Sequence, residues 1–99
     1  MRFDFHSRKI KLLYFEEKGA RKYPAEVIDA FFTAMSTIEA AKDIRDLYAL
    51  KSLHFEKLSG ARQNDRSIRL NKQWRLTLRI EKDENGDFIL ILDIEDYHH

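Results

Sequence analysis

Cysteine is absent from this 99-residue chain. That excludes a disulfide framework, a thiolate metal site and a cysteine nucleophile, and it permits a reducing compartment. No apolar run approaches the roughly 18 residues that cross a bilayer. The opening MRFDFHSRK has no apolar stretch of the kind a secretory signal carries. A soluble, cytoplasmic protein without membrane contact is therefore expected. No repeat, linker or low-complexity tract interrupts the chain. With 43% hydrophobic and 35% charged residues, residues 1–99 read as one domain. A chain of this size buries roughly 60 to 70% of its unfolded surface, enough for one core and one site.

The formal net charge of +1 conceals an asymmetry. Between Lys51 and Arg79 stand eight Lys or Arg against Glu56 and Asp65, a local charge of +6, so the rest of the chain sums to −5. Such a block is the electrostatic footprint of a polyanion-binding surface, and equally of a solvated charged face.

The first half has helical periodicity. SRKIKLLYFEEKG opens on a cap, Ser7, sets Ile10, Leu13 and Tyr14 on one face, and is expected to end at Gly19. YPAEVIDAFFTAMSTIEAA has Pro24 near its start and an apolar stripe of Val27, Ile28, Phe31, Phe32, Met35 and Ile38, which predicts a helix of about 18 residues and an αα-hairpin. A short helical turn fits DIRDLYAL, and RFDF alternates as an edge strand does. From Asp65 onward the period falls to 2. DRSIRLNK and WRLTLRI alternate, KDENGD contains the hairpin signal Asn-Gly, and DFILILDI is apolar on both faces, as an interior strand is. The fold class is α+β: an N-terminal helical hairpin packed on one face of a small, mostly antiparallel sheet.

If Trp74, Leu76, Leu78 and Ile80 face the helices, Arg75, Thr77 and Arg79 share the opposite face, and Arg69 joins them from the neighbouring strand. Arginine suits phosphate because its planar fork holds two oxygens at once; solubility alone also places arginines on exposed strands. The chain then closes on LDIEDYHH, where Asp96, Tyr97, His98 and His99 can all move protons. The same tail also reads as a frayed terminus or the stub of a tag.

The stretch LSGARQNDRSIRLNKQWRLTL, followed by the terminal DYH, resembles the HigB branch of the RelE/ParE superfamily, host-inhibition toxins of bacterial toxin–antitoxin pairs. The family pattern runs L-x-G-x-R, S-I-R-[IL]-N-x-Q-W-R and D-Y-H, and the resemblance spans residues 53 to 98. It implies a RelE-like fold and an endoribonuclease that cuts mRNA in the decoding site of the ribosome without a metal or other cofactor. It also implies a cognate helix-turn-helix antitoxin like HigA. Gly60, Arg62, Ser67, Asn71, Trp74, Arg75, Asp96, Tyr97 and His98 fall on motif positions, and His99 does not. Trp74 and Ser67 read as structural.

Cleavage of RNA without a metal needs a base for the 2′-hydroxyl proton, cations around the phosphoryl oxygens and an acid for the departing 5′-oxygen. The resemblance implies Arg75 on the phosphate, supported by Arg62, Arg69, Arg79 and Lys57. His98 is then the acid, oriented by Asp96, and Tyr97 stacks on a base or helps transfer protons. Glu56 occupies the register of the family's loop residue before Gly60, and His54 lies two residues upstream. In an extended segment both face the same way, so Glu56 is the first candidate base and His54 its rival. Two other classes remain open: a ParE-like toxin that acts on gyrase through protein contacts, and a non-catalytic RNA-binding module.

Overall fold

Ser7 does start a helix. In the computed structural model, which describes residues 1–97, its hydroxyl accepts the Ile10 N–H at 3.3 Å at the head of α1 (Arg8–Glu16). The expectations for His98 and His99 lie outside the described residues. Helix α1 stops three residues before Gly19, because Glu17 takes the left-handed conformation (φ 54°). From there the Glu17 and Lys18 N–H groups close back on Leu13 and Leu12. Pro24 precedes α2 (Ala25–Ala40), and its carbonyl accepts from Val27 and Ile28. The expected third turn is α3 (Ile44–Ala49), capped by the Asp43 carboxylate on the Arg45 N–H at 2.9 Å.

Among the described residues five strands form one sheet in the order β1-β5-β4-β3-β2: β1 (Phe3–Phe5), β2 (Glu56–Lys57), β3 (Asp65–Arg69), β4 (Trp74–Asp83) and β5 (Gly86–Asp96). Only β1, an edge strand as its sequence suggests, runs parallel to its neighbour; the other pairs are antiparallel. The doubly apolar β5 is interior, between β1 and β4. In the β4–β5 hairpin Glu84 and Asn85 form the turn and Gly86 follows at φ +103°, so the Asn-Gly signal marks the end of the turn rather than its centre.

The stripe Ile10, Leu13, Val27, Phe31, Met35, Ile38 and Leu47 packs with Ile68, Leu76, Leu78, Ile89, Ile91 and Ile94 in one cluster whose members are all buried. Each such side chain stabilises the fold by about 1.5–3 kcal/mol relative to exposure. Trp74 and Ile80 lie half-buried at its margins, and Trp74 meets Tyr23 edge-to-face with ring centroids 5.5 Å apart. Among the described residues no helix is long and apolar enough to cross a membrane.

One irregularity sets the phase of the carboxyl-terminal strand. Thr77 pairs with Asp93 but Leu78 with Ile91, which leaves Leu92 as an extra residue in β5. Ile89 and Ile91 face the core, and strict alternation would send Asp93 and Glu95 there too. The bulge resets the phase, so that Ile94 faces inward and Asp93 and Glu95 face outward beside Thr77 and Arg75.

Candidate functional site

The outward face of the sheet is organised around its carboxylates. Arg75 is flanked in register by Arg69 on β3 and Glu95 on β5, and Thr77 by Ser67 and Asp93. Glu95 accepts from Arg62 Nη1 and Nη2 at 2.8 Å each and from Thr77 Oγ1 at 2.6 Å. Asp65, almost wholly buried, accepts from Arg79 Nε at 2.8 Å and Arg62 Nε at 3.1 Å. Thr77 has no exposed surface although it points away from the helices. The face expected to be open is thus covered at its centre by Arg62 and Glu95. Arg62 and Arg79 are neutralised by side chains of the same protein.

The electrostatics follow from this geometry. Hydrogen bonds from Arg62 hold the Glu95 carboxyl below its ordinary range, with burial opposing and Thr77 adding to the lowering. Burial pushes Asp65 upward, but the bonds from Arg79 and Arg62 outweigh it and leave its pKa lowered. Burial, then the nearby Glu95 charge, raises the Tyr97 phenol, which remains a neutral donor.

Among the described residues Arg75 has no carboxylate partner. Its Nη1 donates to the Asn71 carbonyl at 2.8 Å and the Trp74 carbonyl at 3.1 Å, and its guanidinium carbon lies 5.5 Å from the centre of the Tyr97 ring. Asn71 explains its place in the motif: its side-chain oxygen accepts from the Gln73 and Trp74 N–H groups at 2.8 and 2.7 Å. The β3–β4 connection is folded by this Asx turn into the shape that presents the Asn71 carbonyl to Arg75. Tyr97 is tied to the same connection through its own N–H, which donates to Gln73 O at 2.6 Å.

The loop candidates separate. His54 is left-handed (φ 48°, ψ 49°) at the end of a 3₁₀ turn over Lys51–Leu53, so the extended segment that was to align it with Glu56 does not exist. Glu56 is in β2, opposite Ser67, and therefore on the face that carries Arg69 and Arg75. Two strand spacings across and one two-residue step along put the Glu56 and Arg75 Cα atoms about 12 Å apart. That leaves room for a ribose–phosphate unit between the side chains. Asp96 pairs with Trp74 and so stands on the opposite face from Glu95, the carboxylate that does lie among the arginines. Lys57, Arg62, Asp65, Arg66, Arg79 and Glu81 line an open cleft of about 600 Å³. Arg79, at its wall, is four residues along β4 from Arg75, roughly 13 Å. Among the described residues no three His, Cys, Asp or Glu side chains converge as metal ligands.

Sequence reasoning missed Glu95 and Asp65. Asp65 was accessible, since it shares the parity of Ser67 and Arg69; Glu95 was not, because its orientation depends on the bulge.

A family model described as the RelE-like toxin of the type II toxin–antitoxin system HigB matches residues 3–98. Toxin HigB-1 of Vibrio cholerae is 32% identical over 76 residues, covering 77% of this chain and 80% of that protein. Among solved structures, the YoeB/ParE toxin from Agrobacterium tumefaciens superposes with a TM-score of 0.60 at 13% identity, over 99% of this chain and all of that one. The YoeB-YefM complex from Staphylococcus aureus gives 0.54 at 18% identity, over 100% of this chain and 98% of the matched one. These two likenesses show the fold.

Proposed function

The chain belongs to the HigB family of RelE-like toxins of type II toxin–antitoxin systems, and from that premise we propose that it is a metal-independent endoribonuclease that cleaves mRNA in the decoding site of the ribosome. The observation that carries this reading is Arg75: a guanidinium with no carboxylate partner among the described residues, fixed by two backbone carbonyls and set against the ring of Tyr97.

In this mechanism Arg75 and the exposed Arg69 opposite it hold the scissile phosphate and neutralise the charge that develops on its oxygens. Preorganised donors of this kind contribute about 10²- to 10³-fold. Glu56 takes the 2′-hydroxyl proton; its register on the arginine-bearing face favours it over His54. His98 protonates the departing 5′-oxygen, and Tyr97, a neutral phenol one β step beyond Glu95, donates a hydrogen bond to the phosphate or supports a base. Lys57 and the cleft beside Arg79 follow the RNA strand away from the cut. Type II membership brings an antitoxin partner, which we take to be a helix-turn-helix protein.

Orientation of the RNA is the part this face supplies least, and a partner that bends mRNA into line with the base supplies several kcal/mol. The test is cleavage of one transcript, naked and on programmed ribosomes, at matched toxin concentration. Cleavage confined to ribosomes is expected. Equal rates on both would remove the ribosome from the mechanism, and no cleavage of either would favour a toxin that acts by protein contact.

A further inference from the structure

Glu95 is held from two directions. Arg62, in the 3₁₀ turn Gly60–Arg62 before β3, grips it with both terminal nitrogens, and Thr77 donates to it from the centre of β4. Arg62 is anchored in turn through Nε to Asp65. The flat edge of its guanidinium, the one a phosphate would take, is therefore filled by a carboxylate of the same chain. Strand pairing ends at Asp96, opposite Trp74. One β step beyond Glu95 on the same face comes Tyr97, whose ring meets Arg75. Glu95 is thus clamped to the sheet two residues before Tyr97, in the stretch that leads to the segment the proposed chemistry uses.

We infer that Arg62, Glu95 and Thr77 form a clasp that positions the carboxyl-terminal segment over Arg75, and that Arg62 acts as a positioning residue rather than as a phosphate ligand. The inference rests on the reading of Arg75 and Tyr97 as parts of a nuclease site. The geometry favours the clasp over a resting counter-ion. Glu95 is tied to a buried threonine as well as to Arg62, and Arg62 to a second, nearly buried carboxylate, so an incoming phosphate would have to break a connected set of bonds rather than one surface ion pair. The cluster also joins the loop before β3 to the end of β5, so its loss moves two parts of the site at once.

The experiment compares Arg62→Ala, Glu95→Ala, the double variant and Glu95→Gln in two measurements. One is single-turnover cleavage on programmed ribosomes at saturating toxin. The other is the Kd for ribosomes carrying an mRNA without the 2′-hydroxyl at the cut position, which binds and does not react. The clasp predicts a loss of roughly 10²-fold in rate for each alanine variant, the scale of a misplacement of about 1 Å, with Kd unchanged. The double variant should be no worse than either single. Glu95→Gln keeps an acceptor for Arg62 and Thr77 and should recover part of the rate. A weaker Kd for Arg62→Ala with a tighter one for Glu95→Ala would overturn the clasp and make Arg62 a phosphate ligand that Glu95 masks; unchanged rates in folded variants would overturn it too. Should the alanine variants melt, Glu95→Gln decides alone, by a rate loss at constant Kd or its absence. A wild-type protein whose cleavage ignores Arg75→Ala would instead remove the reading of the site. A dead Arg75→Ala beside fully active clasp variants would remove the clasp only.

Discussion

Asp65→Ala tests the outward-face network where it is most buried. The carboxylate is 4% exposed and accepts from two guanidinia. Hydrogen bonds to charged groups contribute about 1.5–3 kcal/mol each, so the gross loss is roughly 3–6 kcal/mol. Water recovers much of it, because the Arg62 and Arg79 side chains are 42% and 41% exposed and Arg62 keeps Glu95. The expected net cost is about 2 kcal/mol. For a chain of this length that lowers Tm by roughly 8–16 °C, readable by thermal and urea denaturation. A cycle with Arg79→Ala should show a coupling of at least about 0.5 kcal/mol, since the two residues share a bond. A cost under about 0.5 kcal/mol, the range of an ordinary surface substitution, would refute the network.

Three other outcomes follow from the same geometry. Asp65 and Glu95 both titrate below their unfolded values, about 3.9 and 4.3. Their stabilisation is therefore complete above those values and lost as pH falls through the folded ones; acid titration of stability should steepen below about pH 4.3, and less so in an Asp65→Asn/Glu95→Gln variant. Deleting Leu92, the extra residue, should leave a folded protein, read by circular dichroism, because Asp93 then follows Ile91 in regular alternation, with Ile94 still in the core and Glu95 still outward; a deletion variant that cannot fold would contradict the role given to the bulge. His98→Gln should lower single-turnover cleavage by roughly 10²-fold or more at unchanged ribosome affinity, as loss of a general acid does.

Hydrophobic periodicity made most of this fold legible. The stripe from Val27 to Ile38 and the alternation from Trp74 to Ile80 are each long enough to specify one buried face, and Ser7 and Pro24 mark helix starts by their own chemistry. What escaped was local. Two paired residues in β2 are too few to show a period, and nothing in LHFEK announces that His54 reverses the backbone. Arg75 could be placed on the outer face because its neighbours Trp74 and Leu76 are apolar. Of the carboxylates that bind Arg62 and Arg79, Asp65 could be placed by the same parity, whereas Glu95 could not. The run FILIL, residues 88–92, is apolar on both faces and so carries no phase into Asp93 and Glu95, and the one-residue bulge that turns Glu95 toward Arg62 arises from pairing with β4 rather than from β5 alone.

The most direct measurement is single-turnover mRNA cleavage on programmed ribosomes by wild type and Arg75→Ala, with Tm recorded for both. Among the described residues Arg75 makes two bonds to backbone carbonyls and one ring contact, and because the residue is only half-buried and water replaces most of their gross value of roughly 3–6 kcal/mol, its removal should cost about 1–2 kcal/mol of stability. Its loss from the phosphate should cost roughly 10²-fold or more in rate. A folded Arg75→Ala protein that is nearly inactive is the predicted result. One that cleaves as fast as wild type would contradict the account.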